Sequence, residues 1–242
     1  NSTDETGSII NEYDNIIYIK NSTDRERSYS RNIGIKMAKG EFVTFLDSDD
    51  LLNKEIFEFF KRSLDMFKND KFFFINYNYI KENLITKNSN LFKKNFCTIN
   101  DLTKSNFISN IGIFVRRDLA LDNFWDENRY IIGTEDYDFV LRLMIKAKRA
   151  VLISKKPLAN VRLHDGRSVF NDKKIKIIKR YLFFKKKIFL DNEFKNLNFL
   201  KKNKILSAQS LYASLLLLNC GDRKKSFFFL KNSIKKKFHI NF

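Results

Sequence analysis

Short runs of β-branched and aromatic residues alternate with segments of helical periodicity along the first two thirds of the chain. This alternation restricts the possible folds more than any other feature. Ile16–Ile19, Phe42–Leu46, Lys71–Tyr79, Ile108–Val115 and Ala150–Ile153 have the make-up of strands. Between them, Ser30–Lys39, Leu51–Phe67 and Tyr137–Lys148 gather apolar residues on one helical face, and Gly40 stops the first of these helices. Phe42–Leu46 is almost continuously apolar, as in a strand of a parallel sheet covered on both faces. Residues 81–105 are polar and rich in Asn and Lys, and read as a loop excursion. Strands alternating with helices predict a layered α/β fold.

The pattern changes near Phe170. From Asn171 onward the periodicity is helical throughout, with lysines on the polar faces. Residues 170–242 hold 19 Lys/Arg against 4 Asp/Glu, a net +15 that leaves only +3 of the chain's +18 for residues 1–169. The first part is nearly neutral, and the second calls for an anionic partner surface. Phenylalanine is abundant (26) while Gly (7) and Pro (1) are scarce, which excludes a disordered or collagen-like chain. Two isolated cysteines, Cys97 and Cys220, exclude a disulfide framework or a zinc site and suit a reducing, cytoplasmic compartment. Asn1–Gly7 is polar and acidic rather than a signal peptide. The best apolar run, Leu211–Leu218, falls far short of the roughly 20 residues that a membrane span needs.

Three short segments have chemical potential. Asp47-Ser48-Asp49-Asp50 follows directly on the apolar strand, where ligands bind in open α/β sheets. Carboxylates crowded there repel one another unless a cation neutralises them, and oxygen ligands suit Mg²⁺ or Mn²⁺. A helix starting at Leu51 would need one of the aspartates as its cap, which accounts for one carboxylate and not three. Gly133-Thr134-Glu135-Asp136 opens a helix. Acidic residues are common in a first turn because of the helix dipole, and one of these could equally serve as a general base. His164, one of two histidines, lies in a loop after a strand, as a packed or surface residue or as a ligand.

Together these segments resemble the inverting family 2 glycosyltransferases of GT-A fold. The resemblance is carried by Ser30-Arg31-Asn32-Ile33-Gly34, by Lys39-Gly40-Glu41 leading through Phe42–Leu46 into Asp47-Ser48-Asp49-Asp50, and by Arg116-Arg117-Asp118 ahead of Phe124-Trp125-Asp126-Glu127. Thr134-Glu135-Asp136 and Arg162-x-His164 with Ser168 follow in the family's order. Asn1-Ser2-Thr3-Asp4 is similar to the end of the family's Asp-Asp-Gly-Ser-Thr-Asp loop.

The resemblance covers residues 1–169 and implies a catalytic GT-A domain there, a Rossmann-like mixed sheet, with a basic helical region over 170–242. It implies sugar transfer from a nucleotide-diphospho-sugar, most often a UDP-sugar, to a hydroxyl of a glycan or lipid-linked glycan, with inversion. Bacterial surface polysaccharide or lipooligosaccharide synthesis is the setting it suggests. Asp47 and Asp49 would form the Asp-x-Asp motif, with Asp49 on the divalent metal and Asp47 also near the donor ribose. His164 would complete the metal or diphosphate site, Arg31 and Asp4 would contact the donor, and Asp136 would be the base with Glu135 assisting.

The family's opening strand, helix and second strand would precede Asn1, between the strands Ile16–Ile19 and Phe42–Leu46. The chain is therefore expected to lack the floor of the uridine pocket, to fold poorly alone and to show little activity. The alternative is an inactive fragment that acts only as a basic module on membrane or polyanion. The lysine-flanked apolar stripes of Lys173–Leu190 and Ile205–Leu218 suit either an anionic membrane surface or packing on the catalytic domain. Aromatics in apolar runs such as Phe227–Phe229 argue against nucleic acid.

Overall fold

Phe72-Phe73-Phe74-Ile75 offers no polar face, so the chain can use this stretch only as a strand covered on both sides. In the computed structural model, which describes residues 2–82, 84–88, 91–164 and 172–238, a sheet is built around it. In chain order come α1 (Thr6–Ile10), α2 (Glu26–Met37), β1 (Phe42–Thr44), β2 (Leu51–Leu52), α3 (Ile56–Met66) and β3 (Phe72–Lys81). Next are β4 (Leu84–Asn88), β5 (Phe96–Cys97), α4 (Ile99–Leu102), β6 (Phe114–Arg116) and α5 (Arg117–Leu121). They are followed by α6 (Glu135–Ala147), β7 (Ala150–Arg162), α7 (Lys174–Leu190), α8 (Phe199–Asn219) and α9 (Arg223–Phe238).

The strand order is β1-β6-β3-β7-β2, with β4 also on β3 and β5 also on β7. Among the strands of the described residues only β3 and β7 pair in parallel, with Phe73 opposite Val151 and Tyr79 opposite Val161, and an isolated parallel bridge joins Phe45 to Ile111. The period of two along β3 sorts its side chains into two cores. Phe72 and Phe74 pack with α6, while Phe73, Ile75 and Tyr77 pack with Ile56 of α3. The register between β3 and β7 shifts at Asn76, and the Asn76 amide donates to the carbonyls of Phe92 and Lys155, each at 3.1 Å, to close the break.

Several expectations from the sequence are overturned. Ile16–Ile19 is not a strand: no strand pairs with it among the described residues, and its side chains are exposed. High β-propensity without a partner ladder leaves a segment irregular. Phe42–Leu46 is covered on both faces as far as Phe45, with Phe42 against Phe60 and Phe73 and with Val43 and Phe45 in the core on the α6 side, but its ladder is not the parallel one expected. β1 pairs only with β6, antiparallel, at the edge of the sheet, and Leu46 is exposed. No helix starts at Leu51, because Leu51 and Leu52 pair with Asn160 and Ala159 of β7, and the helix begins at Ile56. Residues 81–105 are more than a loop: β4 forms a hairpin with β3, β5 adds to β7, and a capping box between Thr98 and Asp101 starts α4. The strand expected over Ile108–Val115 shrinks to Phe114–Arg116, because Gly112 turns the chain at φ +73°. The strand expected to end at Ile153 continues to Arg162.

Two of the three C-terminal helices share the main core, while α9 packs through Phe229 in a separate cluster with α7 and α8. Phe184 and Ile188 of α7 and Ile205 and Leu206 of α8 pack with Tyr137 and Leu141 of α6. A buried polar network reinforces the seam. Arg142 donates to Asp138 (2.9 Å), to Asn123 (2.9 Å) and to the Phe124 carbonyl (2.8 Å). Lys187 of α7 reaches Asp138 at 2.9 Å and Asp126 at 2.6 Å. Asp138, an acidic residue of the first turn of α6, is thereby used for packing. Arg180 of α7, paired with Asp172, lies against the turn that precedes α6.

Gly133 is the position in that turn which tolerates nothing larger. Its φ is +90°, and a Cβ there would stand 2.6 Å from the Arg180 guanidinium carbon. Gly133→Ala is expected to cost about 1–3 kcal/mol in urea unfolding, and Phe184→Ala about 3–5 kcal/mol. A Phe184→Ala protein as stable as wild type would show that α7 is not part of the core.

Candidate active site

Arg31 sits where three segments meet. It lies on the inner face of α2, almost fully buried, with its guanidinium 4.4 Å above the Trp125 ring. One nitrogen donates to Asp47 in the loop after β1 at 2.8 Å, and the other to Asp136 at the start of α6 at 3.3 Å. Asn32, the next residue, exchanges two hydrogen bonds with the backbone of Trp125, donating to its carbonyl at 2.9 Å and accepting from its N–H at 2.8 Å. Two adjacent residues thus hold the ring platform and the carboxylates above it. The Trp125 ring is itself stacked on Phe139 of α6 at 4.0 Å.

The acidic loop is fixed from its far end. Asp50 accepts the backbone N–H of Arg162 at 3.1 Å, which ties the loop to the last strand. Asp49 meets the His164 Nε2 at 2.9 Å. Oxygen atoms of Asp47, Asp49 and Asp50 lie within 4.8 Å of one another. A cluster of hard carboxylate oxygens with an adjoining imidazole fits a divalent cation such as Mn²⁺ or Mg²⁺.

A cavity of about 820 Å³ opens over these groups, lined by Asp47, Asp49, Asp136 and His164. Four of the site residues expected from the sequence, from three separate segments, therefore face one space, with Arg31 directly beneath two of them. Glu135 also borders it but is nearly buried, paired with Arg27 at 3.2 Å and accepting the Gly133 N–H. Asp4 does not line this cavity; it is exposed and caps its own segment by accepting from the Thr6 N–H at 3.1 Å. Asn1, Ser168 and the expected boundary at Phe170 lie outside the described residues.

Burial pushes the Asp136 carboxyl up to about 7, with the charges of Glu135 and Asp47 acting in the same direction and Arg31 opposing them. Its side chain retains 31% exposure toward the cavity, so water there tempers the effect. Arg31 stays charged: burial works against its cationic form, but Asp136, Asp47 and Glu135 together outweigh it. The Cys97 thiol, buried under β7, is pushed far above its usual range and is inert.

Sequence reasoning missed two parts of the site. In the sequence, Trp125 stands out only as one member of the segment Phe124–Glu127. The cavity wall also includes Gln209, Leu211, Tyr212 and Leu215 of α8, within the region assigned to the basic tail. A polar Gln-x-x-Tyr pair beside leucines gives no local signal of this, since their place depends on how α8 packs.

Comparison with known proteins gives a consistent result. The family described as "Glycosyl transferase family 2" matches residues 1–121 of the 242. Poly(ribitol-phosphate) beta-N-acetylglucosaminyltransferase TarS of Staphylococcus aureus is 45% identical over 58 residues, covering 22% of this chain and 10% of that protein. UDP-Glc:alpha-D-GlcNAc-diphosphoundecaprenol beta-1,3-glucosyltransferase WfaP of Escherichia coli is 47% identical over 51 residues, 20% of each chain. The matched stretches thus span a fifth or less of these relatives' own lengths. The crystal structure of S. aureus TarS 1–349 in complex with UDP-GlcNAc superposes with a TM-score of 0.59 at 18% identity, covering 97% of this chain and 80% of that one. That likeness shows a shared GT-A-type mixed α/β fold with a helical C-terminal region. With half of its length matched by the family and its acidic loop, basic helix and helix-start carboxylates gathered at one cavity, the chain belongs to glycosyl transferase family 2.

Proposed function

We propose that the protein is a hexosyltransferase that moves a sugar from a nucleotide-diphospho-sugar, a UDP-sugar, to a hydroxyl of a phosphate-bearing glycan acceptor, with inversion at the anomeric carbon. Residues 1–169 are the catalytic part, and the basic region 170–242 supplies one wall of its cavity and faces the acceptor. The observation that carries this reading is the convergence of Asp47, Asp49, Asp136 and His164 on one cavity over a buried arginine. The names of the relatives support the acceptor class, since one acts on poly(ribitol-phosphate) and the other on a diphosphoundecaprenol-linked sugar. A net +15 over residues 170–242 suits such a partner. The protein works in the cytoplasm, peripherally on the inner face of the cytoplasmic membrane, in building surface polysaccharide.

Asp49 would hold the divalent cation with Asp47 and His164, and the bound cation supplies positive charge against the donor diphosphate. Arg31 keeps Asp47 and Asp136 at fixed positions in spite of their mutual repulsion. Asp136 accepts the proton of the acceptor hydroxyl as that oxygen bonds to the anomeric carbon. The bond from that carbon to the diphosphate breaks on the opposite face, and its electron pair leaves with the nucleoside diphosphate. A carboxylate whose proton affinity is matched to neutral pH suits this role. Donor contact by Asp4 belongs to the same proposal and requires its segment to come to the nucleotide.

Asp136 must be deprotonated to act; it is half deprotonated at its raised value of about 7 and fully so only well above it. Turnover should therefore fall on the acid side with a one-proton limb near pH 7 and reach a plateau above it. Asp136→Asn should abolish that limb and lower kcat by about 10²–10⁴-fold, with donor affinity nearly unchanged. Asp49→Asn should instead remove the stimulation of turnover by Mn²⁺. Transfer by Asp136→Asn at the wild-type rate would rule out the assigned base.

A further inference from the structure

α8 and α9 pack as an antiparallel pair along a seam of small residues. Ser207 bonds to the Ser233 carbonyl, Ser210 to that of Phe229 and Ser214 to that of Ser226, each at 2.8 Å. With this seam as reference, the 3.6-residue period sets which side chains share a side of the pair. On α8, Leu211, Leu215 and Leu218 turn outward to one side. On the antiparallel α9, the same side receives Phe227, Leu230, Ile234 and Phe238. All seven are exposed, with Phe227 at 58% and Leu215 at 53%. The triple phenylalanine of the sequence is thus divided: Phe229 enters the seam, and Phe227 and Phe228 do not. No other element covers this face among the described residues.

Two further observations say what the face meets. First, α9 carries seven Lys/Arg and no Asp/Glu over residues 223–238. Lys224, Lys231 and Lys237 are exposed near the apolar stripe. Lys236 is held below its ordinary value by partial burial and then by the charges of Lys185 and Lys235. Such crowding of like charge disfavours a second copy of the chain as the occupant. A soluble polyanion would use the lysines but not the leucines and phenylalanines between them. Second, the face is continuous with the cavity, because Leu211 and Leu215 belong to both. No helix among the described residues is long and apolar enough to cross a membrane, so contact would be peripheral.

We propose that this side of the α8–α9 pair docks on an anionic lipid surface, holding the cavity mouth at the headgroup level so that a lipid-anchored acceptor reaches Asp136 without leaving the bilayer. Apolar side chains enter the boundary between headgroups and acyl chains while lysines neutralise lipid phosphates. The statement about the acceptor rests on the transferase reading; the docking itself does not.

The test uses the whole chain with phosphatidylcholine vesicles, with and without phosphatidylglycerol. Wild-type protein is expected to partition onto the anionic vesicles and to be released by high salt. The double substitution Phe227→Glu/Ile234→Glu should weaken partitioning by about tenfold or more, whereas Met66→Glu, a change at an exposed apolar side chain of α3, should leave it unchanged. Equal partitioning of wild type and the double variant would overturn the proposal. So would equal binding to neutral vesicles, or a wild-type dimer in light scattering that the double variant converts to monomer. UDP-sugar hydrolysis with Mn²⁺, measured on the same samples, should be the same in all three proteins. Its absence from wild type would count against the transferase reading and leave the docking result standing.

Discussion

One buried cation sets the arrangement of the site. Removing the Arg31 guanidinium from water is costly, and partners are what make such burial tolerable. Asp47 and Asp136 provide the charge, and Trp125 provides a polarisable face beneath it. The dependence also runs the other way. Burial raises the proton affinity of Asp136, the nearby charges of Glu135 and Asp47 raise it further, and Arg31 opposes them. The loop after β1 and the start of α6 are some ninety residues apart in sequence, and this guanidinium is the group that bonds to both. Asn32 then fixes Trp125 so that the platform cannot shift.

A second set of buried charges ties the basic helices to this centre. Asp138 stands two residues from Asp136 on α6, and it is the acceptor that Arg142 and Lys187 share. Arg180 packs beneath the turn that presents Glu135 and Asp136. α7 therefore braces the segment that carries the proposed base, and α8 completes the cavity it faces. The basic region is both a structural support of the cavity and one of its walls.

The α/β class and the convergence of three motifs on one cavity were legible in the sequence, whereas the pairing of the individual strands was not. Asp47, Asp49, Asp136 and His164 lie at the ends of elements, and ends of elements are where side chains converge, so short motifs located them. The strands were harder to read because pairing decides what propensity only suggests. Ile16–Ile19 has strand composition and no partner, whereas Leu51-Leu52 sits in a helical pattern and pairs with β7 because the Asp50 carboxylate anchors the chain beside Arg162. Phe72–Ile75 and Phe42–Leu46 both read as covered strands and both are covered, but composition does not tell that one lies at the centre of the sheet and the other at its edge. The places of Trp125, Tyr212 and the outward side of Phe227–Phe229 depend on packing between distant helices, which no local pattern records.

The central claim is that the acidic loop above Arg31 binds a nucleotide-sugar through a divalent cation. Calorimetric titration of a UDP-sugar into the purified chain, in Mn²⁺ and then in EDTA, tests it most directly. The account predicts saturable binding with Mn²⁺ that disappears in EDTA and is competed by UDP. Equal affinity with and without the cation, or no binding in either, would contradict it.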